Sequence, residues 1–109
     1  MKLDNIRTSS TDLVLVATDS DVVVGCISLH VLPLFHAAGS LGRITALVVD
    51  KSHRGLRIGS ALVAAAKDWF IKNDCVKMEV TSGDHRVDAH HFYVSQNFNA
   101  DGQRFSKKL

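Results

Sequence analysis

The chain has 109 residues, enough for one domain with its own core and too few for two. Hydrophobic residues make up 46% and charged residues 22%, the balance of a folded domain, while a formal charge of +2 from scattered basic residues excludes the basic stripe of a nucleic-acid binder. No charged-then-apolar leader opens it and no apolar run approaches the ~20 residues of a membrane helix, so residues 1–109 read as one soluble, cytoplasmic domain.

Residues 1–11 are polar and without pattern, and read as an arm outside the core. Residues 13–17 and 22–31 are rich in β-branched side chains and flank the turn-forming Asp19-Ser20-Asp21, which predicts an antiparallel hairpin ended by Pro33. Residues 43–50 form a near-continuous apolar run, the pattern of a central strand covered on both faces. A glycine-containing basic loop follows. Ile58, Leu62, Ala65 and Trp69 then recur at helical spacing up to about residue 72. A strand over residues 76–81, a helix over 84–95 and a terminal hairpin or strand pair around Asp101-Gly102 complete the predicted order. Cys26 and Cys75 have neither a disulfide nor a zinc spacing and read as buried reduced thiols.

The basic loop at residues 54–60 joins a strand to a helix, and a helix N-terminus flanked by Arg54 and Arg57 suits a phosphate. Read alone, it fits an ordinary exposed turn equally well, with Gly55 and Gly59 easing the turn or the helix packing. It lacks the Gly-Lys-Ser/Thr end of a nucleotide P-loop and the three glycines of a dinucleotide fingerprint.

The run Arg54, Gly55, Leu56, Arg57, Ile58, Gly59 resembles the Gln/Arg-x-x-Gly-x-Gly/Ala pyrophosphate loop of the GNAT superfamily of N-acetyltransferases. The preceding Ile44-Thr45-Ala46-Leu47-Val48-Val49-Asp50 resembles that family's fourth strand, and Ala89-His90-His91-Phe92-Tyr93 with Asn97-Phe98 its last-helix signature. The resemblance covers roughly residues 13–109. It implies an α/β (α+β) fold with a mixed, mostly antiparallel sheet, N-terminally shortened, and acetyl-CoA as cosubstrate for acetylation of a primary amine. The backbone of Leu47, Val48 and Val49 would pair with the pantetheine arm as an added strand. The N–H groups of Gly55, Leu56, Arg57, Ile58, Gly59 and Ser60 would hold the pyrophosphate, with Arg54 adding a charge-assisted contact.

Arg57 stands where the family pattern has a glycine. It is either strained there, at about 1–2 kcal/mol if left-handed, or turned outward as a second cation. Tyr93, the only tyrosine, falls where the family places its general acid. Thr45 replaces the carboxylate that many relatives carry, so Glu79 on the next strand is the expected base, acting through water, with an ion-paired surface carboxylate as the alternative. Arg86 is the residue near Ser82, Asp84 and Asp88 expected to reach a ligand. His85, His90 and His91 have no metal-ligand spacing, and no metal is expected. Family members begin with one more strand and two helices where this chain has the polar arm; the exposed edge this leaves predicts a homodimer. A non-catalytic acyl-CoA-binding module is the second reading.

Overall fold

A computed structural model describes residues 1–35, 38–55, 57–80, 87–100 and 105–109. Among them the strands are β1 (Lys2–Thr8), β2 (Asp12–Asp19), β3 (Val22–Pro33), β4 (Ser40–Val49) and β5 (Cys75–Val80). The helices are α1 (Ile58–Lys72) and α2 (Val87–Ser95), with a short 3-10 turn at Lys51–His53. The sheet runs in sequence order. β1 to β4 pair antiparallel, and β5 joins β4 in parallel after the α1 crossover, which gives the expected mixed sheet.

The hairpin between β2 and β3 has the two-residue loop Ser20-Asp21. Both residues have positive φ, 50° and 65°, as a type I′ turn requires to match the strand twist. The expected arm is instead the edge strand β1, pairing from Lys2↔Thr18 to Thr8↔Leu13. Its polarity misled because an edge strand needs few apolar side chains; here Leu3 packs on the core. Its turn is built by Ser9, whose Oγ accepts from the Thr11 and Asp12 N–H groups at 3.2 and 3.0 Å.

Ile58, Leu62, Ala66 and Phe70, four apart on α1, lie on Leu13, Leu15, Ala17, Val24, Ile27, Leu29 and Ile44, none of them more than 7% exposed. Burying each Leu, Ile, Val or Phe side chain among them contributes roughly 1.5–3 kcal/mol. The expected stripe ran through Ala65 and Trp69, which flank this seam and are only partly buried. The expected terminal pair is not found: residues 98–100 and 105–109 form no strand, and residues 101–104 lie outside the described residues. Both cysteines are unpaired and partly buried. Burial, then the charge of Asp74, raises the Cys75 thiol pKa.

Candidate functional site

The site begins where two strands separate. Among the described residues β4 pairs with β5 from Ser40↔Cys75 to Ile44↔Val80, and with β3 as far as Gly25↔Val49. At the parting, Leu29 pairs with Ile44 and Ser28 with Ala46, so Thr45 is bulged out. The bulge shifts the alternation. Ile44 faces the core, Thr45 and Ala46 are both exposed, and Leu47 and Val49 return to the core. β4 is therefore central, but not covered on both faces as its composition suggested. Along residues 45–49, β3 holds one side and, among the described residues, no strand holds the other. Leu47, Val48 and Val49 thus lie on an edge that, among the described residues, no strand covers, and an extended chain can add to such an edge by β-augmentation.

The basic loop follows the end of that edge. Arg54 is exposed, and its Nε donates to the Val49 carbonyl at 3.4 Å. Gly55 turns the chain at φ 86°, with open space where a Cβ would stand. Leu56 lies outside the described residues. Arg57 is left-handed, φ 63° and ψ 19°, which is the strained backbone expected as one alternative, and its side chain is exposed. The first α1 hydrogen bond runs from the Ala61 N–H to the Arg57 carbonyl at 3.0 Å. Among the described residues the N–H groups of Ile58, Gly59 and Ser60 have no carbonyl partner one turn back, and two arginines lie beside them, an arrangement that suits an anion. Before the loop, hydrogen bonds from Ser52 and then His53 hold the Asp50 carboxyl below the usual carboxylate range.

Tyr93 is placed by the end of α2. The N–H groups of Asn97 and Phe98 donate to the carbonyls of Val94 and Tyr93, both at 3.0 Å, and Asn97 is left-handed at φ 68°. This Schellman ending explains the Asn-Phe pair: asparagine tolerates the conformation, and the Phe98 ring folds back on Tyr93 with centroids 5.6 Å apart. Phe92 packs Tyr93 edge-on from its other neighbour, at 5.5 Å. Gln96 Nε2 donates to Ser60 Oγ at 3.1 Å, tying α2 to the first turn of α1.

Glu79 is bound by Arg43, its register partner across β4 and β5. Both Nε, at 2.8 Å, and a terminal nitrogen donate to Glu79 Oε1. On the sheet face away from α1, Asp12, His30 and Thr45 form a chain that sequence reading missed. His30 Nδ1 lies 2.6 Å from Asp12 Oδ1, and its Nε2 lies 2.7 Å from Thr45 Oγ1 and 3.3 Å from Ser28 Oγ. Hydrogen bonds from His30, then Thr11, hold the Asp12 carboxyl below its ordinary range. These residues, with Arg43, line an open pocket of about 360 Å³. The only sequence signal was their place on the non-core face of three strands, which needs the register to be read.

His90 is partly buried and His91 exposed on α2. Ser82, Asp84, His85 and Arg86 lie outside the described residues, and so does the Asp88 side chain. Among the described residues no three His, Cys, Asp or Glu side chains group as metal ligands, and no helix is long and apolar enough to cross a membrane.

Comparison with known proteins matches residues 2–98 to the family model described as Acetyltransferase (GNAT) family. An aminoalkylphosphonate N-acetyltransferase of Salmonella typhimurium is 38% identical over 87 residues, 80% of this chain and 56% of that protein; the chain thus spans little more than half of this relative's length. Among solved structures, a transcriptional regulator from Bacillus halodurans C-125 superposes with a TM-score of 0.87 at 22% identity, over 93% of this chain and 68% of that one. An aminoglycoside N-acetyltransferase, AAC(6')-Iy, in complex with CoA superposes with a TM-score of 0.82 at 14% identity, over 91% and 77%.

Proposed function

Because this chain belongs to the GNAT acetyltransferase family, we propose that it binds acetyl-CoA along the open edge of β4 and transfers the acetyl group to a primary amine of a small molecule. The observation that supports this most is the edge of β4: among the described residues, residues 45–49 have a strand on one side only and lead to Arg54, Arg57 and the α1 N-terminus, with Arg54 Nε on the Val49 carbonyl. A pantetheine arm suits the edge and a pyrophosphate suits the helix N-terminus. The structural relative in complex with CoA shares the fold.

An alkylamine with a pKa of about 10 arrives as its ammonium and must lose a proton before it attacks. The departing thiolate needs one. Tyr93, fixed by Phe92 and Phe98, is the phenol that would donate it. Glu79 remains the carboxylate near the parting strands, with Oε1 held by Arg43. Arg43 lines the same pocket and places a cation there, which would suit an acceptor carrying an anionic group, in keeping with the name of the Salmonella relative. Pairing of two copies, within the cytoplasm, belongs to the same reading, with the outer edge of β1 as the interface; a light-scattering mass near 11.9 kDa would contradict the pairing.

The test is release of CoA thiol from acetyl-CoA over a panel of amines that includes aminoalkylphosphonates. Thiol release that depends on the amine supports the transferase. Binding of acetyl-CoA with no release from any amine would favour an acyl-CoA-binding module instead.

A further inference from the structure

We propose that His30 accepts the proton of the acceptor amine, working through the Thr45 hydroxyl and oriented by Asp12; this rests on the acetyl-transfer reading above. The position of Thr45 is the starting point. Among the described residues the pairing of β4 with β5 ends at Ile44↔Val80, and Thr45 is the next residue of β4. Its bulge turns the hydroxyl to the pocket on the face away from α1, within 2.7 Å of His30 Nε2.

Asp12 fixes the tautomer. An ionised carboxylate only accepts, so Nδ1, 2.6 Å from Asp12 Oδ1, carries the proton and Nε2 is left as an acceptor when the ring is neutral. Thr45 then donates to Nε2, and its lone pairs are available to an ammonium in the pocket. The charged groups around His30 are Asp12 from β2 and Arg43 from β4, with Glu79 of β5 bound to Arg43. Thr11 and Ser9 support Asp12, at 3.1 and 3.3 Å. Of His30 and Glu79, His30 is hydrogen-bonded to Thr45 of β4, while Glu79 holds Arg43.

In the step, the ammonium gives a proton to Thr45 Oγ1 as Thr45 gives its own to His30 Nε2. The neutral nitrogen forms the C–N bond to the thioester carbonyl, the C–S bond breaks, and the thiolate takes a proton from Tyr93, which regains one from the new amide nitrogen. Ammonium and acetyl thioester become amide, thiol and one proton, which His30 releases to solvent.

The experiment compares ethylamine with methoxyamine, whose nitrogen is already neutral at pH 7. His30→Gln and Thr45→Val are expected to lower kcat for ethylamine by about 100-fold or more and for methoxyamine by less than about threefold, the usual span of general-base assistance. Thr45→Ser restores the rate. Equal losses with both amines, or none, would overturn the relay, since a structural defect does not distinguish them. Imidazole ¹⁵N spectra give a second readout. The expected result is His30 protonated at Nδ1 and shifted by ethylamine in the presence of CoA; an Nε2-protonated ring, or one indifferent to the amine, overturns the relay. If the wild-type chain transfers acetyl to neither amine, the transferase reading fails by itself, and the spectra still decide whether His30 receives the amine proton.

Discussion

The Phe92 ring rests on Gly59. A Cβ added at Gly59 would stand 3.1 and 3.2 Å from two ring carbons, tighter than ordinary contact. The bare backbone at Gly59 is what lets α2, which carries Tyr93, sit against the first turn of α1. Gly59→Ala therefore sets a better helix former, worth up to about 1 kcal/mol, against crowding of similar size. Thermal stability is expected to stay within about 1 kcal/mol of wild type, while turnover falls roughly 3- to 10-fold as α2 shifts Tyr93. Melting curves and kcat on the same samples check this.

Tyr93→Phe keeps the rings packed against Phe92 and Phe98 and removes only the hydroxyl. Turnover is expected to fall by about 100-fold with acetyl-CoA affinity unchanged. Equal turnover in the variant would remove Tyr93 from the chemistry.

Arg57 holds a left-handed backbone at the head of α1. Arg57→Gly removes that strain, about 1–2 kcal/mol, and returns part of it through the greater freedom of glycine in the unfolded chain. The net expectation is a gain of roughly 0.5–1 kcal/mol, a rise of several degrees in Tm, together with weaker acetyl-CoA binding from the lost cation.

Asp12 has a carboxyl held below its ordinary range, first by the hydrogen bond to His30. A depressed folded pKa contributes stability above the unfolded value, about 3.9, and loses it as pH falls through the folded value. The stability gap between wild type and Asp12→Asn is expected to be present at pH 6 and to close below about pH 3.9. Chemical denaturation across that range measures it.

The β2–β3 hairpin and α1 were legible because each rests on local signals: the Asp19-Ser20-Asp21 turn, β-branched runs and apolar residues at helical spacing. β1 was not, since an edge strand needs little hydrophobicity and its turn is set by one serine oxygen. The loop at Arg54 and Arg57 could be found from motif and charge. The Asp12–His30–Thr45 chain could not, because those residues lie on three strands and meet only through register and the Thr45 bulge. The tie of Glu79 to Arg43 is equally a matter of register, 36 residues apart in sequence.

The most direct measurement is calorimetric titration of acetyl-CoA into the wild-type chain and into the Arg54→Ala, Arg57→Ala double variant. The expected result is one site per chain, weakened about tenfold or more in the double variant, since each charge-assisted contact is worth roughly 1.5–3 kcal/mol. An absence of binding, or equal binding by the double variant, would contradict the placement of acetyl-CoA between the open edge of β4 and the head of α1.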